Sequence, residues 1–474
     1  MEYKPTIGLE IHAELKTKTK MFCDSRNDPD EKNPNVNICP VCTAQPGTLP
    51  AINKEAVKSI LKVGTALSGE LADHTEFDRK NYFYPDLPKG YQISQYKHPL
   101  VSKGELLGIE ITRVHLEEDT ARSSHTKGGD RSVVDFNRAG IPLMELVTEP
   151  VIESAEEAGA FARELQLLLR SLNVGDANME KGEMRVEANI SVSKTKRRGV
   201  KVEVKNLNSF RSVERAITYE IKRQIKLLEG GKEVIQETRG WNEDKQETFA
   251  QRLKEGSEDY RYFPDPDLPK LIISEITDFR NEVLKDSMPE LPWERRERYV
   301  NELGLKLEDA EVFVRNSEFS NFFENYVLPK LNNDKKLIIL AANYLTTDVV
   351  GILTKSKNAK LENIQDSFAD LISFVGNKEM SSRGVKELLP VLLREGGRAR
   401  DVANKLNFFQ KSDETELKSV IEEIIEENPS VIEDYKSGKE TALKFLIGKG
   451  MAKTRGSGNP EIIGKMLKRA INQG

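Results

Sequence analysis

Residues 6–15 of the chain, TIGLEIHAEL, place two side chains capable of chemistry in an otherwise apolar stretch. Side chains two positions apart in a β-strand lie on one face, so Glu10 and His12 are expected to lie side by side. A carboxylate and an imidazole in a half-buried strand require a charged partner, because an unpaired buried charge is costly. This pattern favours a metal site or a site that handles anionic groups.

Further acids lie in similar surroundings. Glu145 interrupts the apolar string IPLMELV, and MRVEANISV places Arg185, Glu187 and Asn189 on one predicted strand face. Several carboxylates with one imidazole suit a hard divalent cation such as Mg²⁺, which prefers oxygen ligands. Two other segments add candidates of the same kind: Glu117 and Glu118 in HLEED, Asn137 and Arg138 in DFNRAG, and Lys80 among the aromatic residues of DRKNYFYPDLPKGY. The alternative interpretation is a set of independent surface charges and salt bridges.

The familiar nucleotide and hydrolase motifs are missing from the sequence. It contains no GxxxxGK[ST] phosphate loop, no GxGxxG after a strand, no HExxH and no GxSxG. A site that binds phosphate in this chain must therefore be built in another way.

The three cysteines, Cys23, Cys39 and Cys42, lie within twenty residues of one another. CPVC is a C-x₂-C pair, which is a common half of a zinc site. Cys23 supplies a third ligand and Asp24 is a candidate for the fourth. The alternative is a loop that contains reduced thiols, and the odd count argues against a disulfide framework.

Capping and turn signals predict the elements that must position these residues. SAEEAGAFARELQLLLRSL (154–172) and SVERAITYEIKRQIKLLEGG (212–231) read as capped helices. MRVEANISVS and KRRGVKVEVKNLNS read as a hairpin that turns at 196–199. The first 292 residues are thus expected to be α+β and rich in antiparallel strands, whereas the chain after Trp293 is expected to be helical, with a further boundary near 405–412.

Composition predicts a cytoplasmic protein without a membrane partner. The chain has 474 residues and a net charge of −5, and it has neither a signal-peptide pattern nor a run of roughly 18 apolar residues. The charge is unevenly distributed near the C-terminus. Residues 413–434 contain nine acids and one lysine, and the last 24 residues contain a basic cluster of Lys453, Arg455, Lys465, Lys468 and Arg469. That cluster is a candidate contact for a nucleic-acid backbone or, alternatively, a solvated helix face.

The motifs taken together resemble one family. GLEIHAEL, PNVNICPVC, DRKNYFYPDLPKGYQISQ, HLEED, NRAGIPLMELVTEP, MEKGEMR, EVKNLNSF and DYRYFPDPDLP follow one another in the order typical of the GatB/GatE amidotransferase family. The C-terminal stretch ENPSVIEDYKSGKETALKFLIGKGMAKTRGSGNP is similar to that family's YqeY-like domain. The resemblance extends over nearly the whole chain.

The resemblance implies an architecture and an activity. It implies a catalytic cradle domain (1–292), an all-helical domain (293–405) and a small helical YqeY-like tail that binds tRNA (406–474). It implies a heterotrimer with GatA and GatC, in which the chain binds Glu-tRNA(Gln) or Asp-tRNA(Asn), phosphorylates the side-chain carboxylate with ATP and Mg²⁺, and amidates it with ammonia from the glutaminase subunit. The synthetase that mischarges the tRNA is a further candidate partner.

The resemblance also implies residue roles. The magnesium ligands are expected to be His12, Glu10, Glu118, Glu145 and Glu187, and the catalytic residues Lys80, Glu10 and Arg185. ATP is expected to contact Lys80, Asn137, Arg138 and Asn189, and Cys23, Cys39 and Cys42 to form an incomplete zinc set. Three places depart from the family pattern: Ser25 stands where a cysteine is usual, Glu187 where aspartate is usual, and Thr120-Ala121-Arg122 where Ala-Gly-Lys is usual. The alternative function is a non-catalytic scaffold that binds tRNA.

Overall fold

The computed structural model describes residues 2–126, 129–253, 257–406, 408–409, 414–454 and 458–473. The chain divides into two compact units, Met1–Pro292 and Trp293–Gly474. Strands and helices alternate in the first unit, whereas the second contains helices.

In the part of the chain that the structure describes, the first unit combines strands with four helices. The strands are β1 (Lys4–Glu14), β2 (Glu70–Leu71), β3 (His74–Thr75), β4 (Asp78–Asn81), β5 (Tyr91–Ser94), β6 (Val101–Ser102), β7 (Glu105–Leu106), β8 (Ile109–Glu118), β9 (Arg122–His125), β10 (Ser132–Asp135), β11 (Pro142–Thr148), β12 (Met184–Ser193), β13 (Val202–Leu207), β14 (Glu237–Asn242), β15 (Glu247–Leu253), β16 (Phe263–Pro264) and β17 (Leu271–Ile272). The helices are α1 (Lys54–Ala66), α2 (Ala155–Ser171), α3 (Phe210–Glu229) and α4 (Asn281–Asp286), with short 3₁₀ turns at Ser257–Tyr260, Ile273–Glu275 and Thr277–Phe279.

One large sheet organises this unit. Within the described residues its strands run in the order β15-β14-β13-β12-β1-β11-β8-β6-β2, and β7 pairs with β8. Every neighbouring pair whose register is defined is antiparallel except β13 and β14, which are parallel. A small sheet of order β16-β4-β5 and two two-stranded ribbons, β9–β10 and β3–β17, complete the unit. The α+β class predicted from sequence is confirmed.

β1 lies at the centre of the sheet and shows why one face carries the polar residues. Ile7, Leu9 and Ile11 are buried, while the alternate positions Glu10 and His12 stay partly accessible. Helices α2 and α3 pack against each other and against strands of the sheet, including β1 and β12. The period-2 alternation thus buries the apolar face under helices and leaves the opposite face free to form a site.

Local signals set the helix ends. Ser154 caps α2 in a complete capping box with Glu157, and α3 ends at Gly230. The predicted hairpin also forms, since β12 and β13 pair antiparallel across the 194–201 connection.

Helices are the regular elements of the second unit within its described residues, apart from an isolated β-bridge between Met380 and Phe409. Its α-helices are α5 (Pro292–Glu297), α6 (Leu307–Arg315), α7 (Ser317–Phe322), α8 (Lys335–Asn343), α9 (Val350–Lys355), α10 (Phe368–Gly376), α11 (Ser382–Glu395), α12 (Ala399–Lys405), α13 (Glu414–Glu427), α14 (Pro429–Lys436), α15 (Glu440–Lys453) and α16 (Pro460–Gln473). π-helical segments lie at Arg298–Glu302, Phe323–Val327 and Tyr344–Val349, and 3₁₀ turns at Leu328–Leu331 and Leu361–Ile364.

Two separate hydrophobic clusters lie in this unit. One gathers buried residues from Tyr299 to Ala403, and the other gathers Leu417 to Ile471 from α13, α15 and α16. The continuous helical run Lys335–Lys355 is long and apolar enough to cross a membrane, with a mean hydropathy of 1.7. Ile338, Leu345 and Val349 of this run belong to the first cluster, so part of the run packs in the core of the unit.

Candidate functional site

The register of three central strands assembles a cluster of acids and imidazoles on the free face of the sheet. His12 of β1 lies opposite Glu145 of β11 and opposite Arg185 of β12. Glu10 lies opposite Glu187 of β12. Four of the five predicted magnesium ligands, His12, Glu10, Glu145 and Glu187, are therefore brought together by strand pairing.

The centre of the cluster is a network of two histidines and two glutamates. His12 Nε2 lies 3.4 Å from Glu145 Oε2 and 3.7 Å from Glu117 Oε1. His115 Nε2 lies 3.2 Å from the same Glu145 oxygen. Ser94 Oγ donates to Glu117 at 3.0 Å and fixes that carboxylate. These contacts form a tight arrangement in which nitrogen and oxygen donors converge.

A second group of carboxylates continues from Glu10 across β12 to β13. Ligand oxygens of Glu10, Glu187 and Glu203 lie within 4.8 Å of one another. Lys205 Nζ lies 2.9 Å from Glu187 and 3.9 Å from Glu203, and partly offsets their charge. Glu203 and Lys205 were not anticipated from the sequence, because only the pairing of β13 with β12 places them on this face.

The structure places Glu118, one of the predicted ligands, outside the cluster, whereas its neighbour Glu117 lies within it. Glu118 lies on the other face of β8, where it contacts Lys89 Nζ at 2.7 Å and accepts a hydrogen bond from the Ile93 N–H at 3.0 Å. Glu117 shares a face with His115, whose strand partner is Glu145. Consecutive strand residues point in opposite directions, so a one-residue error in assignment moves the carboxylate out of the site.

Lys80 and Arg185 both line the same cavity as the acids. The Lys80 ammonium lies 5.0 Å from the Tyr260 ring centroid. Burial disfavours its charge, but Glu117 and Glu145 outweigh that effect and hold the pKa of Lys80 well above its usual range. Arg185 is held by Asp119, with Nη2 3.1 Å from Oδ2, and this attraction raises the pKa of Arg185. Two cations thus face the carboxylate cluster.

Three other residues expected to contact ATP lie outside the cavity lining, and two of them hold neighbouring segments in place. The Asn137 side chain accepts from the Val36 and Asn37 N–H groups and donates to Asn33, so it anchors the cysteine segment. Arg138 donates to the carbonyls of Thr120 and Ala121 and holds the turn after β8.

Asn189, the third of these residues, lies farther along β12, opposite Gly8 and Glu203, and is outside the set that lines the cavity. None of these three residues is among those that line the cavity, and their contact with ATP stays a prediction.

The cavity over the sheet face measures about 560 Å³. Its floor is the carboxylate cluster, and one wall is aromatic. The aromatic and amide residues that line it are Tyr82, Gln92, Gln95, Tyr96, Tyr260, Tyr262 and Gln236, and the cationic ones are Lys80, Arg113, Arg185, Lys201 and Lys205. The cationic side chains of the lining suit a ligand that carries several negative charges, once a bound cation offsets the carboxylate floor.

The electrostatics of the floor show a cluster that favours cations. Burial, together with Glu145 and Glu187, raises the pKa of Glu10 to about 7. Burial disfavours the His12 imidazolium, but its hydrogen bond to Glu145 outweighs this and raises its pKa to about 9. His115 and His12 hold the pKa of Glu145 well below its usual range despite burial. Glu10 holds its proton more tightly because neighbouring carboxylates repel its negative charge, and a divalent ion would supply the same positive charge without a proton.

The donor set fits a hard divalent ion. Three sets within the described residues place one ligand atom each within 4.8 Å of the others: Glu10, His12 and Glu145; His115, Glu117 and Glu145; and Glu10, Glu187 and Glu203. Carboxylate oxygens with few imidazole nitrogens are the ligands that Mg²⁺ accepts in proteins. Glu187 reaches the cluster although it is one methylene longer than the usual aspartate.

The cysteines also converge. The sulfur atoms of Cys23, Cys39 and Cys42 lie within 4.8 Å of one another. Ser25 Oγ lies 3.8 Å from Cys42 Sγ, whereas Asp24, the residue considered for the fourth position, is exposed and outside the group. Fully buried Lys20 places Nζ 3.7 Å from Cys42 Sγ. Hydrogen bonding from Cys23 and the Lys20 charge outweigh burial and lower the pKa of Cys42 to about 4. A cluster of three converging sulfur atoms, one of them favoured as a thiolate, could bind a metal.

Comparison with known proteins gives the same family over both units. Residues 5–277 match the GatB/GatE catalytic domain, and residues 321–471 match the GatB domain. The GatB subunit of the aspartyl/glutamyl-tRNA(Asn/Gln) amidotransferase of Crocosphaera subtropica is 41% identical over 99% of this chain and 98% of its own. The protein of the same description from Thermotoga maritima is 41% identical over 99% of each chain, and that from Synechocystis is 40% identical over 99% and 98%.

Proposed function

This chain belongs to the GatB/GatE family of aspartyl/glutamyl-tRNA(Asn/Gln) amidotransferase subunits, and we propose that the cavity on the sheet face is its site of carboxylate phosphorylation and amidation. The observation that supports this most strongly is the convergence of His12, Glu117 and Glu145 beside Lys80 in one cavity. The proposed substrates are Glu-tRNA(Gln) and Asp-tRNA(Asn), with ATP as the phosphoryl donor.

The reaction explains why a site of this composition is needed. A side-chain carboxylate is a poor acyl donor, because oxide is a poor leaving group. Transfer of the γ-phosphoryl group from ATP to a carboxylate oxygen releases ADP and gives an acyl phosphate. Ammonia then attacks the acyl carbon, and phosphate departs with the former carboxylate oxygen. Phosphoryl transfer depends mainly on positioning and on neutralising charge.

Residues of this chain have distinct roles in that scheme. His12, His115, Glu10, Glu117, Glu145 and Glu187 are the residues that would hold Mg²⁺. The bound ion would neutralise phosphate oxygens and orient the transferred group. Lys80 and Arg185 offset the remaining negative charge of the phosphates and the substrate carboxylate. Asp119 fixes the guanidinium of Arg185 so that it does not have to reorganise during the reaction.

The site requires no protein nucleophile. Ammonia is itself a good nucleophile once it is delivered, and we propose that it comes from a GatA glutaminase subunit in a heterotrimer with GatC. The sequence motifs for Ser- or Cys-based hydrolysis are accordingly missing from this chain.

The proposal is tested on the reconstituted heterotrimer. Lys80→Met should abolish both ATP hydrolysis that depends on the mischarged tRNA and formation of the amidated aminoacyl-tRNA. Lys97→Met is the matched control, because Lys97 lies outside the residues that line the cavity. The alternative function, a scaffold that only binds tRNA, predicts no tRNA-dependent ATP hydrolysis even in the wild-type complex, and that result would reject the catalytic proposal.

For the cysteine cluster we propose a structural zinc site with Cys23, Cys39 and Cys42 as thiolate ligands. Ser25 Oγ is the side-chain oxygen placed to complete it, since it lies 3.8 Å from Cys42 Sγ. Three thiolates and Zn²⁺ carry a net charge of −1, which the buried Lys20 ammonium offsets. The zinc would stabilise the loop and take no part in the reaction.

A further inference from the structure

The aromatic wall of the cavity is not explained by phosphoryl transfer. Tyr82, Tyr96, Tyr260 and Tyr262 line the same cavity as the carboxylate cluster. Their rings contact one another in sequence, with centroids 5.9 Å apart for Tyr82 and Tyr260, 6.0 Å for Tyr260 and Tyr262, and 4.4 Å for Tyr262 and Tyr96. Charge neutralisation needs cations and a metal, so four phenol rings beside the site require another reason.

Tyr96 ends this row and is half-exposed in the cavity. Its ring is parallel to that of Tyr262, with an interplanar angle of 8°. Tyr262 covers one face, yet Tyr96 remains 48% exposed while lining the cavity. Tyr96 therefore has accessible surface within the cavity, and a planar ligand stacked on it would extend the stack by one ring.

Both rings of this pair are held in place by their backbone. The Tyr96 N–H donates to the buried carboxylate of Asp78 at 2.9 Å. Asn81 Nδ2 donates to the carbonyls of Tyr260 and Arg261 at 3.2 and 2.8 Å, which ties the 260–262 segment to β4. Burial raises the pKa of Tyr262, so its phenol stays neutral. A fixed, neutral aromatic surface loses little entropy when a flat ligand stacks on it.

We infer that the Tyr96–Tyr262 pair is a stacking platform for an adenine base. This inference rests on the proposed function, which brings two adenines to one cavity: the base of ATP and the terminal adenosine to which the amino acid of the tRNA is attached. Stacking of one base on an aromatic side chain contributes roughly 1–3 kcal/mol. The platform would therefore set affinity for one of these substrates rather than the rate of the chemical step.

The test separates KM from kcat in the heterotrimer for two substrates. Tyr96→Leu should raise KM by about 10-fold, the effect of losing one stacked base, for the substrate whose adenine it holds. The turnover number kcat should stay within about twofold. Tyr96→Phe keeps the ring and should restore the wild-type KM. Phe83→Leu is the matched control, since Phe83 is 78% exposed and outside the cavity lining.

Each outcome decides the inference. A raised KM for ATP assigns the platform to the nucleotide, and a raised KM for the aminoacyl-tRNA assigns it to the terminal adenosine. Unchanged KM for both substrates in Tyr96→Leu overturns the inference while the proposed function stands, because the wild-type complex is still active. An inactive wild-type complex overturns the proposed function itself.

Discussion

At the scale of single residues, the difference between Glu117 and Glu118 shows how much depends on strand direction. The two carboxylates are neighbours in sequence, but one faces His12 and the other pairs with Lys89. Only the first can contribute an oxygen to the cluster on the free sheet face. Chemical type alone does not separate them, since both are buried glutamates.

This difference predicts that two isosteric substitutions affect metal affinity to different extents. Glu117→Gln should weaken Mn²⁺ binding, used as a spectroscopic stand-in for Mg²⁺, by about 10-fold or more, because a charged ligand is lost. Glu118→Gln should change the Mn²⁺ affinity by less than about threefold by the same reasoning, because its carboxylate points to the other face. Electron paramagnetic resonance of free Mn²⁺ measures both affinities. Equal weakening by the two variants would contradict the assignment.

Part of the geometry of this site could be predicted from the sequence. Arg113, His115 and Glu117 alternate with the apolar Val114 and Leu116, so the polar parity of β8 could be predicted. What could not be predicted is that β8 pairs with β11 in the register that sets His115 opposite Glu145. Glu203 and Lys205 were missed for the same reason, since their place depends on pairing across an irregular register.

The cysteine cluster gives a second prediction for a single residue. Ser25→Cys should make bound zinc more resistant to removal by a chelator, because a thiolate is a softer and stronger ligand than a hydroxyl. Zinc retained after EDTA dialysis, measured by elemental analysis, is compared with that of the wild type. Ser123→Cys adds an exposed thiol on β9 and is the control. Equal loss of zinc from all three proteins would show that position 25 does not face the metal.

At the scale of elements, local sequence signals predicted the helix ends. The pairing of strands that are distant in sequence could not be predicted. The capping box at Ser154 and the end of α3 at Gly230 are each determined by a few adjacent residues. The order of the central strands is different, because β1 lies between β11 and β12, which follow it by more than a hundred residues. Hydrophobic alternation specifies which face of a strand is buried, but it does not specify which strand lies next to it.

Packing between elements gives a prediction with opposite signs at two helical glycines. A Cβ at Gly64 of α1 would lie 2.5 Å from Val101 Cγ2 and 2.8 Å from Leu71 Cδ2, whereas a Cβ at Gly351 of α9 would meet nothing within 4 Å. Gly64→Ala should therefore lower the free energy of unfolding by about 1–3 kcal/mol, the usual cost of overpacking. Gly351→Ala should raise it by roughly 0.5–1 kcal/mol, because alanine favours the helix.

Urea unfolding of the full chain, followed for the transition of the unit that contains each residue, measures both effects. A stabilising Gly64→Ala substitution would mean that β6 moves away from α1 at little cost. A destabilising Gly351→Ala substitution would mean that the space beside α9 is filled in solution.

At the scale of the whole molecule, the net charge of −5 conceals an uneven distribution of acidic and basic residues near the C-terminus. Lys453, counted in the predicted basic cluster, lies 2.8 Å from Glu423 and 2.7 Å from Glu427 of the acidic helix α13. Arg455 of the same cluster lies outside the described residues. Lys465 and Lys468 are exposed on α16 and are the candidates that remain best placed for a phosphate backbone.

The C-terminal helices provide the last prediction. These helices have their own buried cluster, which includes Leu417, Leu446 and Leu467. Removing residues 412–474 therefore removes this cluster as a whole, together with the charged residues on the same helices. The remaining chain should keep its helical core from Tyr299 to Ala403 and should stay folded. Affinity for tRNA should fall, since the exposed lysines of α16 leave with the segment.

A variant that removes only charge distinguishes the effect of losing the basic surface from the effect of losing the C-terminal helices. Lys465→Gln with Lys468→Gln keeps the buried cluster, and each lost phosphate contact should reduce the slope of log affinity against log salt by about 1. Filter binding of tRNA to the heterotrimer between low and high salt measures this slope. If the truncated complex and the double variant both bind tRNA with the wild-type affinity and slope, the C-terminal helices do not contact the tRNA backbone. If only the truncation weakens binding, the contact is made by other residues of those helices.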